Sequence, residues 1–379
     1  MSIIIVDDNE TNQLIIKTIL NKAGYHDLSA VSSAAELYRL LGIDSAMGKN
    51  NSVELILMDM MMPDIDGIAA CRVLQSDDRY RDIPIIFVTA VGDSNKMAEA
   101  LDAGASDYVM KPINRMELLA RIRSALRLKK EIDWHKERDI KMKNKLELAK
   151  QVQLSVLSKP IDDENVLISA LYKPSYELAG DFYAWYRIDK HRYGVILLDM
   201  MGHGISSSLV CMYISSVLRD TITRISDMEQ VMHELNRYMN QIQFQDELIN
   251  YYFTAIYLVL DTEEKWIEYV NAGHPPGLVY MDDQIIPLEA CCSAIGLFDT
   301  LQVSKGKLHY KKDISIALYT DGLTDCLDNG NEIPLEVISD LLANCNRLEP
   351  AELVKEILPD SLNSGQKDDI CLVTLQTKS

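Results

Sequence analysis

The chain has 379 residues, 47% hydrophobic and 25% charged, ordinary values for two or three globular domains with their own cores, and neither a disordered scaffold nor a fibre fits them. Its 38 basic against 57 acidic side chains leave a formal net charge of -19, which excludes a general nucleic-acid surface and disfavours acidic membranes, because both need clustered cations. The seven cysteines include no CxxC pair, as reduced thiols do, no window approaches a membrane span, and MSIIIVDD reaches an acidic pair too soon for a signal peptide, so a cytoplasmic location is expected.

From residue 1 to about 127 short apolar runs alternate with helical patterns. Ile3–Val6, Leu55–Met58, Ile85–Val88 and Tyr108–Met110 read as strands, and 11–23 and 94–103 as helices. That alternation predicts a doubly wound α/β domain around a parallel sheet. From 115 to 158 there is no glycine, and Pro160 lies just beyond, which predicts one long helix. Leu118, Ala125, Leu128, Ile132, Met142, Leu146, Ala149 and Val156 repeat at spacings of three and four, with Arg121, His135, Asp139 and Gln153 on the same seam. This is a coiled-coil pattern with polar interruptions. Residues 127–150 hold nine Lys/Arg against five Asp/Glu, so the helix differs chemically from its neighbours. It reads as a homodimer-forming signalling helix, with a solvated spacer as the alternative.

Beyond Pro160, over 159–379, longer period-two strands take over: Tyr193–Asp199, Phe253–Leu260, Trp266–Val270, Ile314–Tyr319 and Ile370–Leu375, with helices at about 205–222 and 227–244. They predict an α+β domain on antiparallel sheets.

In the first domain Asp7 and Asp8 follow one strand and Asp59 another. In open parallel sheets ligands bind beyond the carboxyl ends of the strands. Three carboxylates there repel one another unless a hard cation joins them, and all-oxygen ligation suits Mg²⁺. Thr89 offers a hydroxyl and Lys111 a cation, completing a nucleophilic carboxylate, a donor and a charge clamp for a phosphoryl group. With IIIVDD, Asp59-MMMPDIDG, VTA at 88–90 and GASDYVMKP at 104–112, residues 1–127 resemble the receiver domain of bacterial two-component response regulators. The resemblance implies a five-stranded parallel sheet and phosphorylation of Asp59 by a cognate sensor histidine kinase. It implies Mg²⁺ on Asp8, Asp59 and the Met61 carbonyl, with Asp7 acting through water. Thr89, Tyr108 and Lys111 would be the switch residues, and Lys111-Pro112 a cis bond.

In the second domain acidic motifs end or begin strands: Ala179-Gly180-Asp181, Asp199-Met200-Met201-Gly202-His203-Gly204, Tyr319-Thr320-Asp321-Gly322 and Lys367-Asp368-Asp369-Ile370. Dispersed carboxylates without a Cys/His set suit Mg²⁺ or Mn²⁺ rather than zinc, and two such ions suit phosphate-ester hydrolysis. With Tyr252-Phe253-Thr254-Ala255, Asn271-Ala272-Gly273-His274-Pro275 and Ala294-Ile295-Gly296, about 148–376 resembles the PPM-type (2C-like) serine/threonine phosphatases, in the bacterial branch related to SpoIIE. The resemblance implies an antiparallel β-sandwich flanked by helices. It implies two Mn²⁺ or Mg²⁺ ions on catalytic Asp181, Asp199, Asp321 and Asp368 and the Met200 carbonyl. Asp369 stays open between an alternative ligand and a residue supporting the ligands. Two positions depart from the pattern: Ala184 stands where the branch often has an acid, and Cys371 where it often has threonine. His203 and His274 read as positioning groups before proton donors.

The expected function is therefore a response regulator whose output is metal-dependent dephosphorylation of a phosphoserine or phosphothreonine protein. By resemblance the substrate is a phosphorylated anti-sigma-factor antagonist of the STAS type. The alternative is a catalytically weak or inactive phosphatase-like adaptor that binds a sigma-factor regulator.

Overall fold

The computed structural model describes residues 2–43, 53–90, 94–225, 227–242, 251–327, 338, 342, 366 and 368–378. The chain divides into two compact units, Met1–Lys143 and Asn144–Ser379.

In the first unit, strands β1 (Ser2–Val6), β2 (Asp27–Val31), β3 (Val53–Met58), β4 (Ile85–Thr89) and β5 (Asp107–Met110) alternate with helices α1 (Glu10–Lys22), α2 (Ala34–Leu41), α3 (Gly67–Ser76) and α4 (Ser94–Asp102), and α5 (Arg115–Val156) starts in this unit and ends in the second. The sheet is parallel, in the order β2-β1-β3-β4-β5. Successive side chains of a strand point to opposite faces. Ile4 and Val6 thus enter a core with α2 and α3, while Ile3 and Ile5 enter another with α1 and the start of α5. Burial on both faces explains the continuous apolar strands. The edge strand β2 escaped the sequence reading because Asp-Leu-Ser-Ala-Val is only half-buried and lacks such a run.

The second unit is a sandwich of two antiparallel sheets. One has the order β14-β11-β10-β9-β8, the other β13-β12-β15-β16-β7-β6. The first comprises β8 (Phe182–Arg187), β9 (Arg192–Met200), β10 (Phe253–Asp261), β11 (Trp266–Ala272) and β14 (Gly306–His309). The second comprises β6 (Ile161–Asp162), β7 (Val166–Lys173), β12 (Gly277–Met281), β13 (Gln284–Leu288), β15 (Ser315–Tyr319) and β16 (Ile370–Thr377). Val195, Leu197, Ile256 and Leu258 meet Ile168, Ile316, Leu318 and Val373 between the sheets. Helices α6 (Ile205–Arg224) and α7 (Met228–Asn240) cover the outer face of the first sheet, where Ile214, Leu218, Val231 and Leu235 pack on Ile196 and Leu198. Residues 243–244 of the expected 227–244 helix lie outside the described residues. A short helix, α8 (Asp321–Leu327), follows β15.

The long helix forms as expected, but its seam does not serve one purpose throughout. Leu118 and Ala125 are buried in the first unit's core, Gln153 is buried in the second unit, and Val156 packs against the α6–α7 core. A three-four repeat is also the stripe by which a helix lies on its own domain. From Leu128 to Ala149 the seam includes exposed apolar positions, Leu128 and Met142 each being more than half exposed. No helix among the described residues is long and apolar enough to cross a membrane.

Candidate functional site

The receiver cluster forms at the carboxyl ends of β1, β3, β4 and β5. Asn9 caps α1 by accepting from the Thr11 and Asn12 amides, which turns the chain directly after Asp7 and Asp8. Asp7 accepts from the Asn9 amide at 2.9 Å and from Asn12 Nδ2 at 3.0 Å. After β3, Asp66 caps α3 by accepting from the Ala69 amide at 2.7 Å. Gly67 is required there, since a Cβ would lie 2.2 Å from the Asp59 carbonyl oxygen.

Carboxylate oxygens of Asp7, Asp8 and Asp59 all lie within 4.8 Å of one another. Asp7 and Asp59 are buried and Asp8 is exposed. Lys111 Nζ donates to Asp59 at 2.6 Å and to Asp7 at 2.9 Å. Burial pulls the Lys111 ammonium down, but its bonds to Asp59 and Asp7 outweigh that and hold it above its ordinary value. An all-oxygen triad open to solvent on one side fits a hard divalent cation that keeps several waters. Thr89 is fully buried at the end of β4, and the Met61 amide faces Asp59 at 3.3 Å. Tyr108 is half-buried, with the Arg121 guanidinium 5.9 Å from its ring centroid, and Arg121 also pairs with Asp107 at 2.7 Å. The Lys111-Pro112 bond is cis, as the resemblance implied.

In the second unit Asp181 precedes β8, Asp199 sits near the end of β9, Asp321 begins α8, and Asp368 and Asp369 precede β16. The structure brings the four expected ligands together. Burial, followed by the charges of Asp199 and Asp369, pushes Asp181 well above the usual carboxylate range. Burial and then Asp321 and Asp368 push Asp199 up to about 7, and burial followed by Asp368 raises Asp321. Carboxylates that oppose each other's ionisation are a donor set that divalent cations relieve. Unlike the receiver triad, this set has no three carboxylates with mutually close oxygens among the described residues; it extends from Asp181 through Asp199 to Asp321 and Asp368. Met200 is buried in the first sheet, opposite Phe253.

Asp369 has another use. Its Oδ1 accepts from the Ser175 amide at 2.7 Å and the Ser175 hydroxyl at 2.9 Å, and its Oδ2 from the Gly180 amide at 2.7 Å. Both oxygens therefore hold the loop that delivers Asp181. Three further contributors were not legible in the sequence. Thr320 Oγ1 donates to Asp181 at 2.9 Å and accepts from the Cys371 amide at 3.0 Å. Gln153, expected as a seam interruption, donates to the Ala179 carbonyl at 2.7 Å and accepts from the Ala179 amide at 3.1 Å. Gly322 leaves room for the Asp369 carbonyl, 2.0 Å from where a Cβ would stand. Of the Lys367-Asp368-Asp369 motif, Lys367 lies outside the described residues.

The histidines separate. His274 is buried, contacts the Thr254 hydroxyl through Nδ1 at 2.8 Å, and donates its amide to Asn271 at 2.8 Å. Burial pushes it down to about 3, so it is neutral at pH 7 and positions Thr254, the residue paired with Asp199 across β9 and β10. His203 is exposed and stacks on Tyr176, with ring centroids 4.9 Å apart.

A doubly wound receiver sheet with an acidic triad, followed by a two-sheet sandwich with dispersed aspartates, defines a chain in which a receiver precedes a 2C-type phosphatase fold. Residues 3–123 match the response regulator receiver domain, and residues 189–378, half of the chain, match Stage II sporulation protein E (SpoIIE). The chain belongs to the SpoIIE family. The phosphoserine phosphatase RsbP of Bacillus subtilis is 43% identical over 48% of this chain and 46% of its own length. The response regulator PleD of Caulobacter vibrioides is 34% identical over 36% of this chain and 28% of its own. The chain thus spans less than half of each of these relatives. The SiaA-PP2C domain of Pseudomonas aeruginosa shares the fold of the second unit, with a TM-score of 0.53 and 19% identity over 62% of this chain and 97% of that one. Asp181 lies before the SpoIIE match, and its place beside Asp199 agrees with the role that the sequence motif implied.

Proposed function

We propose that this chain is a response regulator whose output is metal-dependent hydrolysis of phosphoserine or phosphothreonine on a protein partner. The observation that carries the reading is the placement of Asp181, Asp199, Asp321 and Asp368 at the ends of neighbouring elements, where burial and adjacent carboxylates raise Asp181, Asp199 and Asp321, in a chain that also holds the Asp7, Asp8 and Asp59 triad. When bound, two Mn²⁺ or Mg²⁺ ions supply a lowered pKa for the attacking water and a clamp on phosphoryl oxygens. The four aspartates, with the Met200 carbonyl, would hold those ions. Thr320 orients Asp181, Asp369 and Gln153 fix the loop that presents it, and His274 fixes Thr254 beside Asp199.

In the receiver, Asp59 would accept a phosphoryl group from a sensor histidine kinase, with Mg²⁺ held by Asp8, Asp59 and the Met61 carbonyl and Asp7 acting through water. Lys111, already 2.6 Å from Asp59, would pair with the new charge, and Thr89 and Tyr108 would move towards it. α5 is the covalent path from this cluster to Gln153, and self-association through its exposed middle would make the chain a homodimer. The substrate we infer is a phosphorylated anti-sigma-factor antagonist of the STAS type, a reading supported by the likeness to a phosphoserine phosphatase.

The test is hydrolysis of a phosphoserine protein and of a generic aryl phosphate with Mn²⁺, in wild type and Asp321→Asn. Metal-dependent turnover lost in the variant is the expected result. Absence of turnover by the wild type, on a partner shown to bind, would overturn the reading in favour of the adaptor.

A further inference from the structure

The second unit contains a cavity of about 360 Å³ between the C-terminal half of α6, the edge strand β8 and the end of α5, within the usual size of small-molecule sites, roughly 300–1,000 Å³. Its floor is made by Phe182, Ala184 and Tyr186, alternate residues of β8 that share one face. Met212, Leu218 and Ile222 of α6 close it from the other side, and Val156 and Ser158 border it where α5 ends. Apolar and aromatic groups thus make up most of the wall.

The polar groups are few. The Ser158 hydroxyl is committed to the Trp185 backbone and that of Ser215 to the Met212 carbonyl. Ser216 and Arg219 also line the cavity and are exposed, and Arg219 has no ion-pair partner among the described residues. Its neighbour Asp220 pairs instead with Arg224, at 2.9 Å. One uncommitted guanidinium at the mouth of an apolar chamber selects a ligand with an apolar body and a single carboxylate. Ala184 is what keeps the chamber open and free of negative charge: its side chain ends at Cβ, at the position where the related motif carries an acid. An aspartate there would occupy the space and repel an anionic ligand.

The walls lead to the carboxylate site. Phe182 directly follows Asp181. On α6, Cys211 Sγ lies 3.7 Å from the Asp181 carbonyl oxygen. On α5, Val156 is less than one turn from Gln153, which holds Ala179. An occupant therefore touches all three elements that position Asp181.

We propose that this cavity is a regulatory site for a small amphipathic carboxylic acid, its apolar body between α6 and β8 and its carboxylate on Arg219. Occupancy sets the affinity of the carboxylate site for divalent ions. The inference goes beyond the proposed hydrolase activity, and its test does not require turnover. Octanoate and 4-phenylbutyrate, with octanamide and 4-phenylbutyramide as uncharged controls, are titrated calorimetrically into the full-length protein. The expected result is saturable binding of the acids, at least tenfold tighter than the amides. Arg219→Gln, a surface change, should erase that preference, and Ala184→Phe should abolish binding of acids and amides alike. Mn²⁺ titration with and without saturating acid should give midpoints differing at least threefold in wild type. No saturable binding, or equal affinity for acid and amide, would overturn the ligand assignment. Binding that leaves the Mn²⁺ midpoint unchanged would overturn the regulatory one. Turnover on aryl phosphate is a separate result, so failure of the hydrolase reading is distinguishable from failure of this one.

Discussion

Asp199 carries the sharpest consequence at the scale of single residues. Burial and then the neighbouring aspartates raise it from an ordinary 3.8 to about 7 in the folded chain. The folded state thus binds a proton that the unfolded state releases near its ordinary value. The associated stability is fully present below that value and is lost as pH rises through about 7. With divalent ions chelated, the second unit should become less stable between about pH 4 and pH 8, and Mn²⁺ should restore it at the upper end. Denaturant melts at each pH test this: Asp199→Asn should flatten the slope, and parallel slopes in variant and wild type would show that Asp199 is not its source. The aspartates themselves were legible because each sits near a strand end, with Asp181 and Asp321 directly beside glycine. Thr320 and Asp369 were not legible as supports, because their partners lie 139 and 189 residues away in sequence.

Among the elements, α5 changes role along its length. Its first turns belong to the receiver core and its last to the phosphatase-type unit. Gln153 satisfies both the amide and the carbonyl of Ala179, and all three groups are buried. Gln153→Ala should leave both backbone groups unpaired, destabilising the second unit by about 2–4 kcal/mol and weakening Mn²⁺ binding. A thermal melt paired with an Mn²⁺ titration reads both effects, and an unchanged metal midpoint would show that the clamp serves stability alone. In the middle of α5, Leu128 and Met142 are 54% exposed in the single chain, so replacing both with lysine should cost neither unit its core. If the exposed middle is a dimer seam, sedimentation should report a monomer for Leu128→Lys/Met142→Lys and a dimer for the wild type. A wild-type monomer would remove the seam from the account. Heptad spacing was visible in the sequence, but which part of it was already spent on the chain's own domains was not.

For the whole molecule, the question is whether the receiver cluster governs the phosphatase-type site. Beryllofluoride, a phosphoryl mimic, should change aryl-phosphate turnover in wild type and leave Asp59→Asn unaffected. Identical rates with and without it in wild type would mean that the receiver does not control the second unit under those conditions. The sequence by itself determined the two fold classes and both acidic sets, because apolar periodicity and carboxylates at strand ends are local features that a linear text records. Only the tertiary structure decided that Asp369 holds a loop, that Gln153 belongs to the site rather than to a seam, that His274 is buried and neutral, and that Ala184 opens a cavity. Each of those outcomes depends on partners brought together across the fold, and burial and hydrogen bonding are properties of that assembly rather than of residue order.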